Sequence, residues 1–324
     1  EERVAYGSAR WAKHGRGLFI VHDEDSEFHR LKYYDLETRK FTDLTPDIPW
    51  DVRELHQSPR GDRLAFTTNE GGISRVYLLD TASMRYEPVK GLPAGQISGL
   101  RFHPDNNRLA LGIDTPRTPG DIYVLDLRDG ALERWTYSEV GGLDTGNFLV
   151  PELVNYPTFD RKIPCFYYRP RGKGPHPVLI HIHGGPEIQY RPFFRAITQY
   201  YVTELGVAVL APNVRGSAGY GESYLKLDNG YKREDSVRDI GALLDWIQTR
   251  PELDADRIAL MGGSYGGYMV LSSMIRFGNR IRCGTEAVGI SNFVTFLENT
   301  KGYRRDLRRV EYGDERDPEM RKFL

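Results

Sequence analysis

Leu260-Met261-Gly262-Gly263-Ser264-Tyr265-Gly266-Gly267-Tyr268-Met269 places four glycines around one serine. It contains G-x-S-x-G, a pattern that suits a strand turning sharply into a helix, with the serine held exposed in a strained conformation. The bare motif arises by chance in roughly 0.15 of chains with this serine and glycine content, so its surroundings must decide. Arg257–Met261 is a short apolar run of buried-strand type, and Tyr268–Ile275 can follow as a helix. Strand, serine and helix come in the required order, and Ser264 is read as a nucleophile.

Upstream, Pro177–His183 and Val207–Pro212 read as buried strands, with opening strands at Leu149–Tyr156 and Ile163–Arg169. Asp235–Thr249 carries Val237, Ile240, Leu244 and Ile247 along one helical face, with Asp235 or Ser236 as the expected N-cap. This alternation predicts an α/β fold with a mainly parallel sheet. His183-Gly184-Gly185-Pro186 closes the Pro177–His183 strand, where a hydrolase needs a backbone N–H aimed at a developing oxyanion. The expected donors are the N–H groups of Tyr265 and Gly185. The glycine-rich Asn213–Gly221 lacks the GKS/T ending of a phosphate loop, and Arg215 within it reads as an architectural ion-pair donor.

The first half is different. Arg16–Ile20 leading to Tyr33-Tyr34-Asp35, Asp62–Phe66 leading to Tyr77-Leu78-Leu79-Asp80, and Asn107–Leu111 leading to Tyr123-Val124-Leu125-Asp126 repeat at a spacing of 45 to 46 residues. That is the length of a four-stranded propeller blade. Three blades cannot close a ring, so the expectation is a partial β-propeller over residues 1–145 followed by an α/β-hydrolase domain over 146–324. The first residue is Glu1, and the chain is expected to begin inside a longer protein.

Composition narrows the classes of function. The formal charge is -1 over 324 residues, with 27% charged and 40% hydrophobic residues, which speaks against nucleic acid or an anionic membrane as partner. No apolar run is long enough to span a bilayer. Cys165 and Cys283 have no metal-ligand spacing and are expected to be small buried apolar residues; no metal or cofactor is expected. The expectation is a soluble protein, with cytoplasmic, periplasmic and secreted locations and a homo-oligomer all left open.

Gly262–Met269, His183–Pro186 and Asn213–Ser217 together resemble the prolyl oligopeptidase family of serine peptidases, in its acylaminoacyl- and dipeptidyl-peptidase-like branch, and the resemblance covers nearly the whole chain. It implies a propeller covering an α/β-hydrolase domain, an acyl-enzyme on Ser264, an oxyanion hole from the N–H groups of Tyr265 and Gly185, and short peptide substrates admitted by size. It also places Ile290, Phe293 and Phe296 in the wall of the specificity pocket, although burial in the core explains the three equally well. Some members place a tyrosine where this chain has His183, so no side-chain oxyanion role is carried over. In this fold the triad runs serine, acid, histidine, yet all eight histidines precede Ser264. The triad Asp and His are therefore expected outside this chain, with its hydrolase domain lacking its C-terminal part and residues 1–324 alone nearly inert. Asp306, Asp314 and Asp317 read as surface or domain-contact residues. An esterase or acyl-amide hydrolase of the same fold, and a non-catalytic propeller module, are the competing functions.

Overall fold

The computed structural model describes residues 4–324. The chain divides into two compact units: residues up to Phe148 with Arg191–Arg195 and Gly219–Gly221, and Leu149–Tyr190 with Ala196–Ala218 and Glu222–Leu324.

The first unit holds three four-stranded antiparallel sheets, each in sequence order. They are β1 (Tyr6–Trp11), β2 (Gly17–His22), β3 (Arg30–Asp35) and β4 (Lys40–Asp43); β5 (Asp51–Gln57), β6 (Arg63–Glu70), β7 (Ile73–Asp80) and β8 (Arg85–Pro88); and β9 (Gln96–Phe102), β10 (Arg108–Asp114), β11 (Asp121–Asp126) and β12 (Leu132–Arg134). These are propeller blades, and the repeat seen in the sequence is a repeat of register: Gly17 faces Asp35, Arg63 faces Asp80 and Arg108 faces Asp126. The three aspartates end their strands for one physical reason. Each carboxylate accepts from backbone N–H groups of the turn that follows, at Glu37 and Thr38, at Ser83 and at Arg128. Alternation then buries one set of side chains, among them Phe19, Leu64, Phe66 and Leu109.

The second unit is a six-stranded sheet in the order β13 (Glu152–Pro157), β14 (Lys162–Tyr168), β16 (Ala208–Pro212), β15 (His176–Ile182), β17 (Leu253–Gly263), β18 (Cys283–Ala287). The first two pairings are antiparallel and the rest parallel. Its helices are α1 (Ala196–Thr203), α2 (Glu222–Leu225), α3 (Arg233–Gln248), α4 (Tyr265–Phe277), α5 (Phe293–Asn299), α6 (Gly302–Tyr312) and α7 (Pro318–Phe323). Val237, Ile240, Leu244 and Ile247 of α3 are all fully buried, as their spacing predicts, and join Ile180, Leu260 and Met269 in one core.

Three expectations are corrected. Neither Asp235 nor Ser236 caps α3: the helix starts at Arg233, Lys232 precedes it without a side-chain cap, and the buried Ser236 hydroxyl bonds back to the Arg233 carbonyl. The buried ion pair of Arg233 with Asp228 holds the first residue of the helix in place. The helix after the serine begins at Tyr265, three residues earlier than the apolar pattern suggests, because the glycines belong to its first turn. Cys165 is buried, but Cys283 is exposed, since β18 is an edge strand among the described residues and all five of its residues are exposed.

Candidate active site

β17 runs straight into α4 through Ser264, whose backbone sits at φ 55° and ψ −119°. A non-glycine residue in this region is strained, and such strain persists only where the surroundings impose it. Here they do so through the Ser264 N–H, which donates to the Ala287 carbonyl at 2.9 Å, and the Ser264 carbonyl, which accepts from the Tyr268 N–H at 3.1 Å. The Ser264 side chain is left exposed while Tyr265 to Val270 are buried. The turn needs its glycines for space. A methyl at Gly266 would lie 2.3 Å from the Ile182 carbonyl oxygen, and one at Gly262 would lie 2.4 Å from the Gly266 oxygen.

The same close approach brings the His183–Pro186 loop against the elbow. A methyl at Gly184 would meet the Gly263 carbonyl at 3.1 Å and the Ser264 Cβ at 3.6 Å. Gly185 takes φ 121°, which only glycine adopts without strain. The N–H groups of Gly185 and of Tyr265, the latter at the first position of α4, have no protein acceptor among the described residues. Two free N–H donors near an exposed serine suit the oxygen of a tetrahedral intermediate, where the negative charge develops.

His183 is buried, and its ring nitrogens bond groups other than Ser264. Its Nδ1 lies 2.6 Å from the Gly184 carbonyl oxygen and its Nε2 lies 2.8 Å from the Ser217 hydroxyl. Burial pushes the imidazole down to about 4, against the opposing pull of the Gly184 bond, so the ring is neutral at pH 7.

Beneath the elbow lies a polar network that the sequence reading missed. The fully buried Asp228 pairs with the buried Arg233, and the Tyr265 hydroxyl donates to Asp228 at 3.0 Å. Arg233 also donates to the Glu311 carbonyl at 2.6 Å and lies 4.7 Å from the Tyr312 ring centroid. Burial pushes the Asp228 carboxyl up to about 6, still low enough to be charged opposite Arg233 at neutral pH. Tyr312 reaches the Gly185 carbonyl with its hydroxyl at 3.1 Å. The one signal available beforehand was the tyrosine after Ser264, a large polar residue at a position the elbow buries.

Ile290 and Phe293 are buried and Phe296 is half-buried; all three belong to or pack against the core of the second unit. Phe293 lies 4.7 Å from Tyr268 and 5.1 Å from Tyr312, centroid to centroid. Arg215 is the architectural ion pair expected of it: it is 2% exposed and bonds Asp239 through its backbone N–H, Nε and Nη2, and Asp160 through Nη2 at 2.9 Å. Asp306 is exposed, Asp314 pairs with Arg316 and Asp317 caps α7. Among the described residues no cluster of His, Cys, Asp and Glu could hold a metal ion, and no helix is long and apolar enough to cross a membrane.

Residues 192–323 match the model of the prolyl oligopeptidase family. Over that region the chain is similar to the family. Dipeptidyl aminopeptidase BIII of Pseudoxanthomonas mexicana is 31% identical over 302 residues, 89% of this chain and 43% of that protein. Prolyl oligopeptidase ophP of Omphalotus olearius is 30% identical over 227 residues, 64% of this chain and 30% of that protein. A Mycobacterium tuberculosis puromycin-hydrolyzing peptidase superposes with a TM-score of 0.86 at 18% identity, over 99% of this chain and 50% of that one, which shows the shared fold. The chain thus spans less than half the length of these two curated relatives. The matched region takes in the elbow, α3, α6 and the Asn213–Ser217 loop, while the His183–Pro186 loop precedes it.

Proposed function

We propose that the protein is a serine-type peptidase that cleaves peptide bonds of short peptides through an acyl-enzyme on Ser264. The observation that carries the reading is the strained, exposed Ser264 at the strand-to-helix turn, with the loop of Gly184 and Gly185 packed against it. In this reading Ser264 Oγ attacks the scissile carbonyl and gives up its proton to a base. The N–H groups of Tyr265 and Gly185 hold the oxyanion, the amine leaves with a proton, and water releases the acyl group. No histidine follows Ser264, and His183 has both ring nitrogens engaged, so the base is assigned to no residue of this chain. Restriction of access by the propeller is part of the proposal and rests on the family resemblance. Ile290, Phe293 and Phe296 are proposed to back the specificity pocket from the core side, through the contacts of Phe293 with Tyr268.

Trapping the intermediate tests this reading. The complete protein, mixed with a chromogenic aminoacyl anilide and quenched in acid, should carry an acyl adduct on the peptide containing Ser264. Turnover that survives in Ser264→Ala contradicts it. A kcat confined to esters, with no measurable cleavage of amides, would favour an esterase on the same elbow.

A further inference from the structure

The bond between His183 and Gly184 has a consequence for the neighbouring residue. The Gly184 carbonyl and the Gly185 N–H belong to one peptide group, which is planar and trans, so the two point in opposite directions. Whatever holds the carbonyl oxygen therefore aims the N–H. The holder is His183 Nδ1 at 2.6 Å. A carbonyl oxygen can only accept, so Nδ1 carries the proton and this fixes the tautomer.

The rest of the ring is committed as well. With the imidazole neutral, Nε2 is an acceptor, and it faces the fully buried Ser217 hydroxyl at 2.8 Å. That hydroxyl also lies 2.6 Å from the Val214 carbonyl, so its single proton is shared between the two acceptors. The ring is thus pinned from the Asn213–Ser217 loop on one side and pins the Gly184 carbonyl on the other. A hydrogen bond accepted by a peptide carbonyl also polarises the N–H of the same peptide and makes it a stronger donor.

We propose that His183 is a positioning residue: its Nδ1–H, donated to the Gly184 carbonyl, orients and polarises the 184–185 peptide so that the Gly185 N–H is preorganised for the oxyanion. This rests on the reading of Ser264 and Gly185 given above. It also explains why a histidine can stand in the loop without donating to the oxyanion itself.

Two substitutions separate this role from mere filling of space. Asparagine places its amide nitrogen near the position of Nδ1, whereas glutamine places it near Nε2. In the complete protein, His183→Asn should keep kcat within about fivefold of the parent. His183→Gln should lower kcat by about 10- to 100-fold with KM nearly unchanged, short of the roughly 10² to 10³ lost with a whole oxyanion donor. Equal kcat values for the two variants, at any level, overturn the assignment. Should either variant fail to fold, ¹⁵N shifts of the histidines in the parent protein read the tautomer directly: a proton on Nδ1 of His183 agrees with the proposal, and one on Nε2 alone overturns it. Ser264→Ala run beside them keeps the failures apart. Activity surviving there removes the serine-peptidase reading, whereas a dead Ser264→Ala with equal Asn and Gln variants removes only the role of His183.

Discussion

The Tyr312 hydroxyl donates to the Gly185 carbonyl at 3.1 Å, joining residues 127 apart in sequence. It ties the end of α6 to the loop that carries the second candidate oxyanion donor, and Arg233 lies over the rings of both Tyr312 and Tyr265. Tyr312→Phe keeps the ring contacts with Phe293 and Phe296 and removes only the donor. Loss of one such bond costs about 1 kcal/mol. Chemical denaturation should show that modest loss, together with a severalfold lower kcat. A variant indistinguishable from the parent in both would show that the bond is incidental.

Gly185 sits at φ 121°, and a Cβ there would lie 2.9 Å from the backbone nitrogens of Glu187 and Ile188. Gly185→Ala must rotate the peptide and swing its N–H. Steady-state kinetics should show kcat reduced by about 10² to 10³ with KM little changed. An unchanged kcat would take Gly185 out of the oxyanion hole.

Arg215 and Asp239 are 2% and 0% exposed at their side chains, 2.8 Å apart. Asp239→Leu leaves a buried guanidinium with only the half-exposed Asp160 as its anionic partner. Breaking a buried pair from one side costs about 3 to 5 kcal/mol, while exchanging both partners for apolar residues of similar volume is far milder. Unfolding of Asp239→Leu, Arg215→Met and the double variant should show the double near the parent and the first well below it. Additive losses would contradict a closed ion pair.

The neutral burial of His183 predicts acid sensitivity. Its folded-state value of about 4 lies below the ordinary 6.5, so folding favours the neutral ring. The stability this contributes is fully present above pH 6.5 and is lost as pH falls from 6.5 toward 4, at most about 3 kcal/mol. Denaturation midpoints for the parent and His183→Asn, measured between pH 7 and pH 4, should converge as pH falls. Parallel curves would contradict it.

What could be read beforehand was local. The strained turn at Ser264, the positive φ at Gly185 and the strand-ending Asp35, Asp80 and Asp126 announce themselves because each conformation is set within a turn or two of its own position. The network of Asp228, Arg233, Tyr265, Glu311 and Tyr312 does not, because Arg233 meets Glu311 78 residues away and burial reverses the usual reading of charge. The same reversal misplaced the start of α3, where a buried arginine outweighed two good capping residues. Asp306 reads as a surface residue and faces water, yet the same helix α6 turns Glu311 and Tyr312 inward. Cys283 is exposed because β18 lies at the sheet edge, a fact of strand order that no residue type encodes.

Covalent labelling distinguishes Ser264 as the nucleophile from every other serine of the protein. The complete protein treated with a fluorophosphonate probe, digested and analysed by mass spectrometry should carry one adduct, on Ser264, and Ser264→Ala should carry none. Labelling that persists in Ser264→Ala, or maps to another serine, would place the nucleophile elsewhere.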